Sequence, residues 1–138
     1  MIWLTMPGYV ASRGRVVELS RGRSGEFPVT MRVNGARVAM ILDTGASAVM
    51  LTQDAARAAG LPIEVLNYTV NLETANGRTR AAPVTIDQLA IGNIVERAVP
   101  ALIVPNTQLK TNLLGMTFLN RLESWQVKGD RLQMRAYP

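Results

Sequence analysis

Neither cysteine nor histidine occurs in the 138 residues. Without thiolate or imidazole the chain has no Cys-His or Ser-His nucleophile, no thiolate zinc site and no histidine-ligated metal. Carboxylate, lysine, tyrosine, serine and threonine chemistry remains, and no metal or other cofactor is expected. Lack of cysteine also means no disulfide framework, which a core of this size does not need, so the compartment stays open. Long apolar runs are missing too. Stretches such as Val38–Leu42 and Ala101–Val104 fall far below the roughly 20 residues that span a bilayer. The chain as given therefore reads as soluble. Its start, MIWLTMPGYV, lacks the charged n-region and long h-region of a signal peptide and reads as the cut end of a longer protein.

What is present is a 48% apolar chain, long enough for one compact domain with a real core and short for two lobes. We divide it into an N-terminal segment, 1–25, an arm or linker remnant, and a domain over 26–138. The formal charge of +5 and pI near 10.4 raise a nucleic-acid or anionic-lipid reading. The densest basic stretch, Ser12–Ser24, holds Arg13, Arg15, Arg21 and Arg23 around Val16, Val17 and Leu19. That is the content of a solvated edge strand and turn, and no aromatic residue is interleaved for base stacking. No nucleic-acid partner is expected.

Alternation of period two dominates. Val29, Met31 and Val33 alternate with Thr30 and Arg32 before Asn34-Gly35, which predicts a hairpin over about Phe27–Leu42. Further hairpins are predicted around Asn76-Gly77, Gly92-Asn93 and Gly129-Asp130. Two short helices interrupt the strands. One follows Thr52 as N-cap and ends at Gly60 and Pro62, with Asp54 in its first turn as a dipole partner. The other carries Phe118, Leu119 and Leu122 on one side. Many strands spaced by turns predict a closed or sandwich-like all-β body. A weak echo, hairpin then AVMLTQDAARA and again hairpin then NLLGMTFLNRL, points to a duplicated template.

The stretch AMILDTGASAVML, Ala39–Leu51, sets one aspartate between two apolar runs, where an unpaired charge is costly. Here ILDTGAS, Ile41 to Ser47, resembles the active-site motif of the retropepsin-like aspartic proteases. NLLG, Asn112–Gly115, resembles their second signature, an apolar pair (Leu113, Leu114) before Gly115 and a short helix. The hairpin at Gly77 lies between the two, as the family's substrate-covering flap does. The resemblance covers about Glu26–Arg135 and implies a closed retropepsin-like β-barrel with one or two short helices and a flap hairpin. It also implies an aspartic endopeptidase in which Asp43 is catalytic, with Thr44, Gly45, Ala46 and Ser47 supporting its loop. Thr74, Ala75, Asn76 and Gly77 then form the substrate-contacting flap.

Hydrolysis by two carboxylates needs one to take a proton from water while the other gives one to the carbonyl. At ~3 Å and an effective dielectric of about 20, two negative charges repel by about 5 kcal/mol, on the order of four pK units, so the pair shares a proton. Of the other aspartates, Asp54 opens a helix, Asp87 precedes QLAIG and Asp130 sits in a terminal turn. None precedes Thr-Gly, so the second carboxylate is expected from Asp43 of another copy, in a two-fold homodimer acting on an extended peptide or protein.

Retroviral members usually carry an acidic residue two places after the motif glycine and an arginine straight after the second glycine. Ser47 and Met116 occupy those places. Both partners of that contact are missing together, and the pattern is closer to bacterial and cellular single-lobed relatives. Many of those carry N-terminal membrane anchors, which fits a tether outside this chain. The competing reading is a catalytically inactive peptide-binding or dimerisation module on the same fold.

Overall fold

The computed structural model describes residues 10–138, with side-chain surroundings from residue 14 onward. The opening MIWLTMPGY lies outside the described residues. Eleven strands and two short helices follow in chain order: β1 (Val10–Arg13), β2 (Val16–Ser20), β3 (Pro28–Val33), β4 (Ala36–Leu42), β5 (Val49–Thr52), α1 (Gln53–Ala58), β6 (Val70–Thr74), β7 (Gly77–Ile91), β8 (Ile94–Val104), β9 (Asn112–Leu114), α2 (Met116–Leu119), β10 (Ser124–Lys128) and β11 (Arg131–Arg135). A 3-10 turn at Ile63–Val65 joins α1 to β6.

Six strands run in the order β3-β4-β9-β5-β8-β7, and pairing of β3 with β7 closes them into a barrel. β7, at 15 residues, is long enough to do two jobs. Its later part pairs with β8 and β3, while Gly77–Ala81 pairs with β6 and leaves the barrel as a projecting hairpin. The barrel interior is filled by alternate residues of the predicted strands. Val29, Met31 and Val33 are buried while Thr30 and Arg32 face water, as a half-buried strand requires. Phe118 and Leu119 of α2, with Leu122, plug the same core.

Local signals account for the turns. Asn34 and Gly35 take φ of 50° and 86°, the left-handed pair of a two-residue hairpin. The Asn34 side chain also accepts from the Gln88 N–H at 3.0 Å, which fastens the β3–β4 turn to β7. In the β6–β7 hairpin, Ala75-Asn76 forms the loop between paired Thr74 and Gly77, and Gly77 supplies the left-handed residue at φ 109°. Thr52 Oγ1 accepts from the Ala55 N–H and caps α1. Gly60 ends that helix with φ +76°, its N–H reaching Arg57 O and the Leu61 N–H reaching Ala56 O, the paired bonds of a Schellman motif.

The sequence echo has a topological counterpart. β4, second strand of the first hairpin, pairs in parallel with β9, and β8, second strand of the later hairpin, pairs in parallel with β5. Each half thus lends its long strand to the other half's short one. A separate sheet, β1-β2-β11-β10, joins the two chain ends. Within it β2 is an inner strand, with Val17 and Leu19 fully buried, and the edges belong to β1 and β10. No helix among the described residues is long and apolar enough to cross a membrane.

Candidate active site

The chain leaves β4 at Leu42, turns through 43–48 and returns along β5, and β9 fills the gap between those two strands. Leu113 is consequently paired with Ile41 on one side and Met50 on the other. The turn is stitched to the end of β9. The Asp43 N–H donates to Leu114 O at 3.1 Å, the Met116 N–H to Ala46 O at 2.9 Å, and the Ala46 N–H closes the turn onto Asp43 O at 3.2 Å. Such close backbone contact explains Gly115. A Cβ there would overlap the carbonyl oxygens of Ala48 and Ala46.

Side-chain bonds hold the frame around this turn. Asn112 Nδ2 donates to Ala39 O at 3.0 Å, and its Oδ1 accepts from the Thr52 N–H at 2.8 Å. One carboxamide therefore bridges β4 and β5 across β9. Thr117 Oγ1 accepts from the Val49 N–H and donates to Pro100 O, fixing α2 against β5 and β8. Asp43 itself is half-buried, and its Oδ1 accepts from the Gly45 N–H at 2.9 Å. The glycine lets that amide come close: a Cβ on residue 45 would lie 3.2 Å from the same oxygen. The carboxylate is thus oriented by backbone and still open on its outer side.

Asp43 lies on the wall of a cleft of about 460 Å³. The sequence-predicted residues Gly45, Ala46, Ser47, Thr74, Ala75, Asn76 and Leu113 line the same cleft. Thr44 and Gly77 are exposed outside the lining, whereas Leu114 is buried in the barrel core and Gly115 beside Ala46 and Ala48. Met116 is half-buried and contributes its backbone N–H to the loop. Thr74 Oγ1 accepts from the Asn76 N–H and donates to Gly77 O, which closes the hairpin tip.

Sequence reading missed the opposite wall. Met50 and Leu72 enter the cleft from β5 and β6, and Gln108, Leu109, Lys110 and Thr111 enter from the loop before β9. Ala46, Met50, Leu72, Leu109 and Leu113 belong to a small apolar cluster of their own, separate from the barrel core, and form the cleft floor. A weak signal existed for the loop: Asn106 and Asn112 bracket NTQLKTN. The Asn106 N–H donates to Gln53 Oε1, and its Nδ2 donates to Asp54 Oδ1 at 3.1 Å. Asp54 therefore does more than face the helix dipole. At the other end, Asn76 Nδ2 donates to Gln108 O at 3.3 Å, tying the β6–β7 tip to the loop across the cleft.

A second cleft meets Asp43 from the other side, lined by Glu26, Ile41, Leu42, Thr111 and Leu113. Glu73 is the one other carboxylate lining the first cleft among the described residues, and it pairs with Arg78 at 3.2 Å near the exposed tip.

Comparison with known proteins agrees with this geometry. Residues 29–121 match the family model described as "gag-polyprotein putative aspartyl protease". The chain is 36% identical over 94% of its length to an uncharacterized protein encoded in the cobV 5' region of a Sinorhizobium species, covering 60% of that protein. It is 32% identical over 83% of its length to uncharacterized protein RP867 of Rickettsia prowazekii, covering 48% of that protein. The chain thus spans about half to three fifths of the curated relatives it matches. Among solved structures, a retropepsin-like aspartic protease from Rickettsia conorii superposes with a TM-score of 0.76 at 30% identity, over 86% of this chain and 97% of that one. The inhibitor-bound EIAV protease superposes at 0.60 and 13% identity, over 80% of this chain and all of the other, and shares the fold. So does the retroviral protease-like domain of Ddi1 from Leishmania major, at 0.58 and 14%, over 80% of this chain and 93% of the other. The closed barrel, the Asp-Thr-Gly turn stitched to β9 and these matches lead to one conclusion: the chain belongs to the gag-polyprotein aspartyl protease family and has the retropepsin-like fold.

Proposed function

We propose that this chain is an aspartic endopeptidase whose active unit is a homodimer, with the two Asp43 carboxylates sharing a proton at the two-fold axis. The observation that carries the reading is the state of Asp43. It is held by the Gly45 N–H, half-buried at the edge of an apolar-floored cleft, and no second Asp-Thr-Gly turn exists in the sequence. One oriented carboxylate is half of a general acid–base pair, and a symmetric contact supplies the other half from the same residue.

In that pair the ionised carboxylate takes a proton from a water held between the two, and the protonated one donates to the scissile carbonyl. Charge repulsion of about 5 kcal/mol at ~3 Å keeps the dyad singly protonated over a wide pH range. Thr44 is exposed within the turn, and in the proposed dimer its hydroxyl hydrogen-bonds across to the facing loop. The β6–β7 hairpin acts as the flap, laying its tip over an extended peptide and excluding water. Apolar side chains of the substrate sit on the floor formed by Met50, Leu72, Leu109 and Leu113.

The test compares wild type with Asp43→Asn on a peptide library between about pH 4 and 7 while protein concentration is varied. Cleavage should vanish in Asp43→Asn, and specific activity of wild type should fall on dilution as dimers separate. Glu26→Gln serves as control, because Glu26 borders the second cleft beside Asp43 and is expected to be dispensable. Equal cleavage by wild type and Asp43→Asn would end the proposal.

A further inference from the structure

Gln53, the first residue of α1, lines neither cleft, yet its half-buried side chain bonds to both sides of the larger one. Its Oε1 accepts from the Asn106 N–H at 3.1 Å, at the base of the loop before β9, and its Nε2 donates to the Tyr68 hydroxyl at 2.8 Å, just ahead of β6. A backbone N–H can only donate, so the carboxamide has one orientation here and both of its ends are used. The cleft lies between loop and hairpin: Gln108, Leu109 and Lys110 line it from the loop, and Leu72, Thr74 and Asn76 from the hairpin.

Each attachment is firm on its own side. Tyr68 packs against the barrel core, and Val70 and Leu72, which follow it in β6, pack in the cluster that floors the cleft. Asn106 is held to α1 twice more, its Nδ2 donating to Asp54 Oδ1 and its Oδ1 accepting from the Asp54 N–H at 3.3 Å. The helix in turn is capped by Thr52 and rooted by the fully buried Ala56. At the far end Asn76 Nδ2 donates to Gln108 O. Hairpin and loop are therefore joined directly at the tip and through Gln53 at the foot. The tip bond is exposed and 3.3 Å long; the Gln53 crossing is shorter, part-buried and outside the space an occupant takes.

We propose that Gln53 is a positioning residue for peptide binding, which sets the width of the cleft by fixing the foot of the hairpin against the loop without touching the peptide. The consequence for cleavage rests on the endopeptidase reading above; the consequence for binding does not. Walls held in place beforehand need no ordering when a peptide arrives, and a small misplacement weakens contacts along its whole length. Because Gln53 acts on binding and not on the carboxylates, its loss raises KM and leaves kcat.

The probe is the peptide that Asp43→Asn binds most tightly from a fluorescein-labelled library of extended apolar peptides. Its Kd is read on Asp43→Asn alone and combined with Gln53→Met, Gln53→Glu or Tyr68→Phe, and KM and kcat are read for the same three substitutions with Asp43 intact. Gln53→Met keeps the length and loses both bonds, and should raise Kd and KM about fivefold with kcat within about twofold. Gln53→Glu should return both to within about twofold of the parent, because one carboxylate oxygen accepts from the Asn106 N–H and the other from the Tyr68 hydroxyl. Tyr68→Phe loses one bond and should fall between the two; it repeats the test if Gln53→Met does not fold. Arg121→Met controls for stability. It removes bonds to Arg97 O and Ala98 O, lies outside the lining of both clefts and should leave Kd unchanged. If peptides bind but none is cleaved, the endopeptidase reading falls and Kd alone decides this proposal. Unchanged Kd in Gln53→Met and Tyr68→Phe, a Gln53→Glu protein as weak as Gln53→Met, an equal rise in Arg121→Met, or no peptide bound by Asp43→Asn overturns it.

Discussion

Gly115→Ala is the substitution with the sharpest structural expectation. The residue has φ −100° and ψ −166°, an extended backbone that alanine adopts freely, so no conformational penalty is involved. Alanine also has less conformational entropy than glycine in the unfolded chain, which by itself slightly favours the folded state. The cost is therefore steric. The added Cβ meets the backbone carbonyls of Ala48 and Ala46 rather than the end of a movable side chain, so the turn and β9 must separate. Overpacking of this kind costs about 1–3 kcal/mol. Separation also strains two hydrogen bonds, Asp43 N–H to Leu114 O and Met116 N–H to Ala46 O, at about 1 kcal/mol each. The expected loss is about 3–5 kcal/mol, a large part of the 5–15 kcal/mol that holds a typical domain together, and a fall in Tm on the order of 10–15 °C. Urea unfolding followed by circular dichroism reads it directly. Gly45→Ala is the paired control: its Cβ would meet only the Asp43 carboxylate at 3.2 Å, which can rotate, so its cost should stay near 1 kcal/mol. Gly115→Ala within about 0.5 kcal/mol of wild type, or Gly45→Ala costing as much, would refute the reasoning.

Two further substitutions probe the frame. Asn112→Ala removes the carboxamide between Ala39 O and the Thr52 N–H and should cost about 2 kcal/mol, seen as a lower urea midpoint at unchanged slope; a loss under about 0.5 kcal/mol contradicts the bridging role. Ala98→Gly relieves an alanine held at φ 52°, where the β7–β8 ladder skips a pair between Ile86–Val99 and Gln88–Arg97 without changing register. Relief of about 1–2 kcal/mol against roughly 0.5–1 for glycine entropy leaves a net gain of about 0.5–1 kcal/mol, and a destabilised variant would count against it.

Much of this arrangement was legible in the chain because its signals are local. Asn34-Gly35 dictates its own turn, Thr52 caps the residues that follow it, and alternation at Val29, Met31 and Val33 shows which face is wet. The Asp-Thr-Gly turn and the Leu-Leu-Gly signature were recognisable as motifs. Their division of labour was not: Leu113 faces the cleft while its neighbour Leu114 enters the core, which depends on where β9 is inserted. Pairing of β2 with β11 and of β4 with β9 joins residues far apart in the chain, and no short window encodes such partners. The same holds for Gln108 and Leu109. In sequence they read as an ordinary loop, and it is held at the cleft by bonds to distant parts of the chain, from Asn106 to Gln53 and Asp54 and from Asn76 to Gln108 O.

The short strand β9 also sets a timetable. Asp43 lies in the first third of the chain, yet the bonds that hold its turn come from Leu114 and Met116, and the sheet at the chain ends needs β11. Contacts of such long sequence separation form late, because loop closure must be completed before they return any energy. On a ribosome the aspartate emerges long before the residues that hold its turn in place. During synthesis, then, the carboxylate is present without its mount, and the stitched turn around it arises only once nearly the whole domain has emerged.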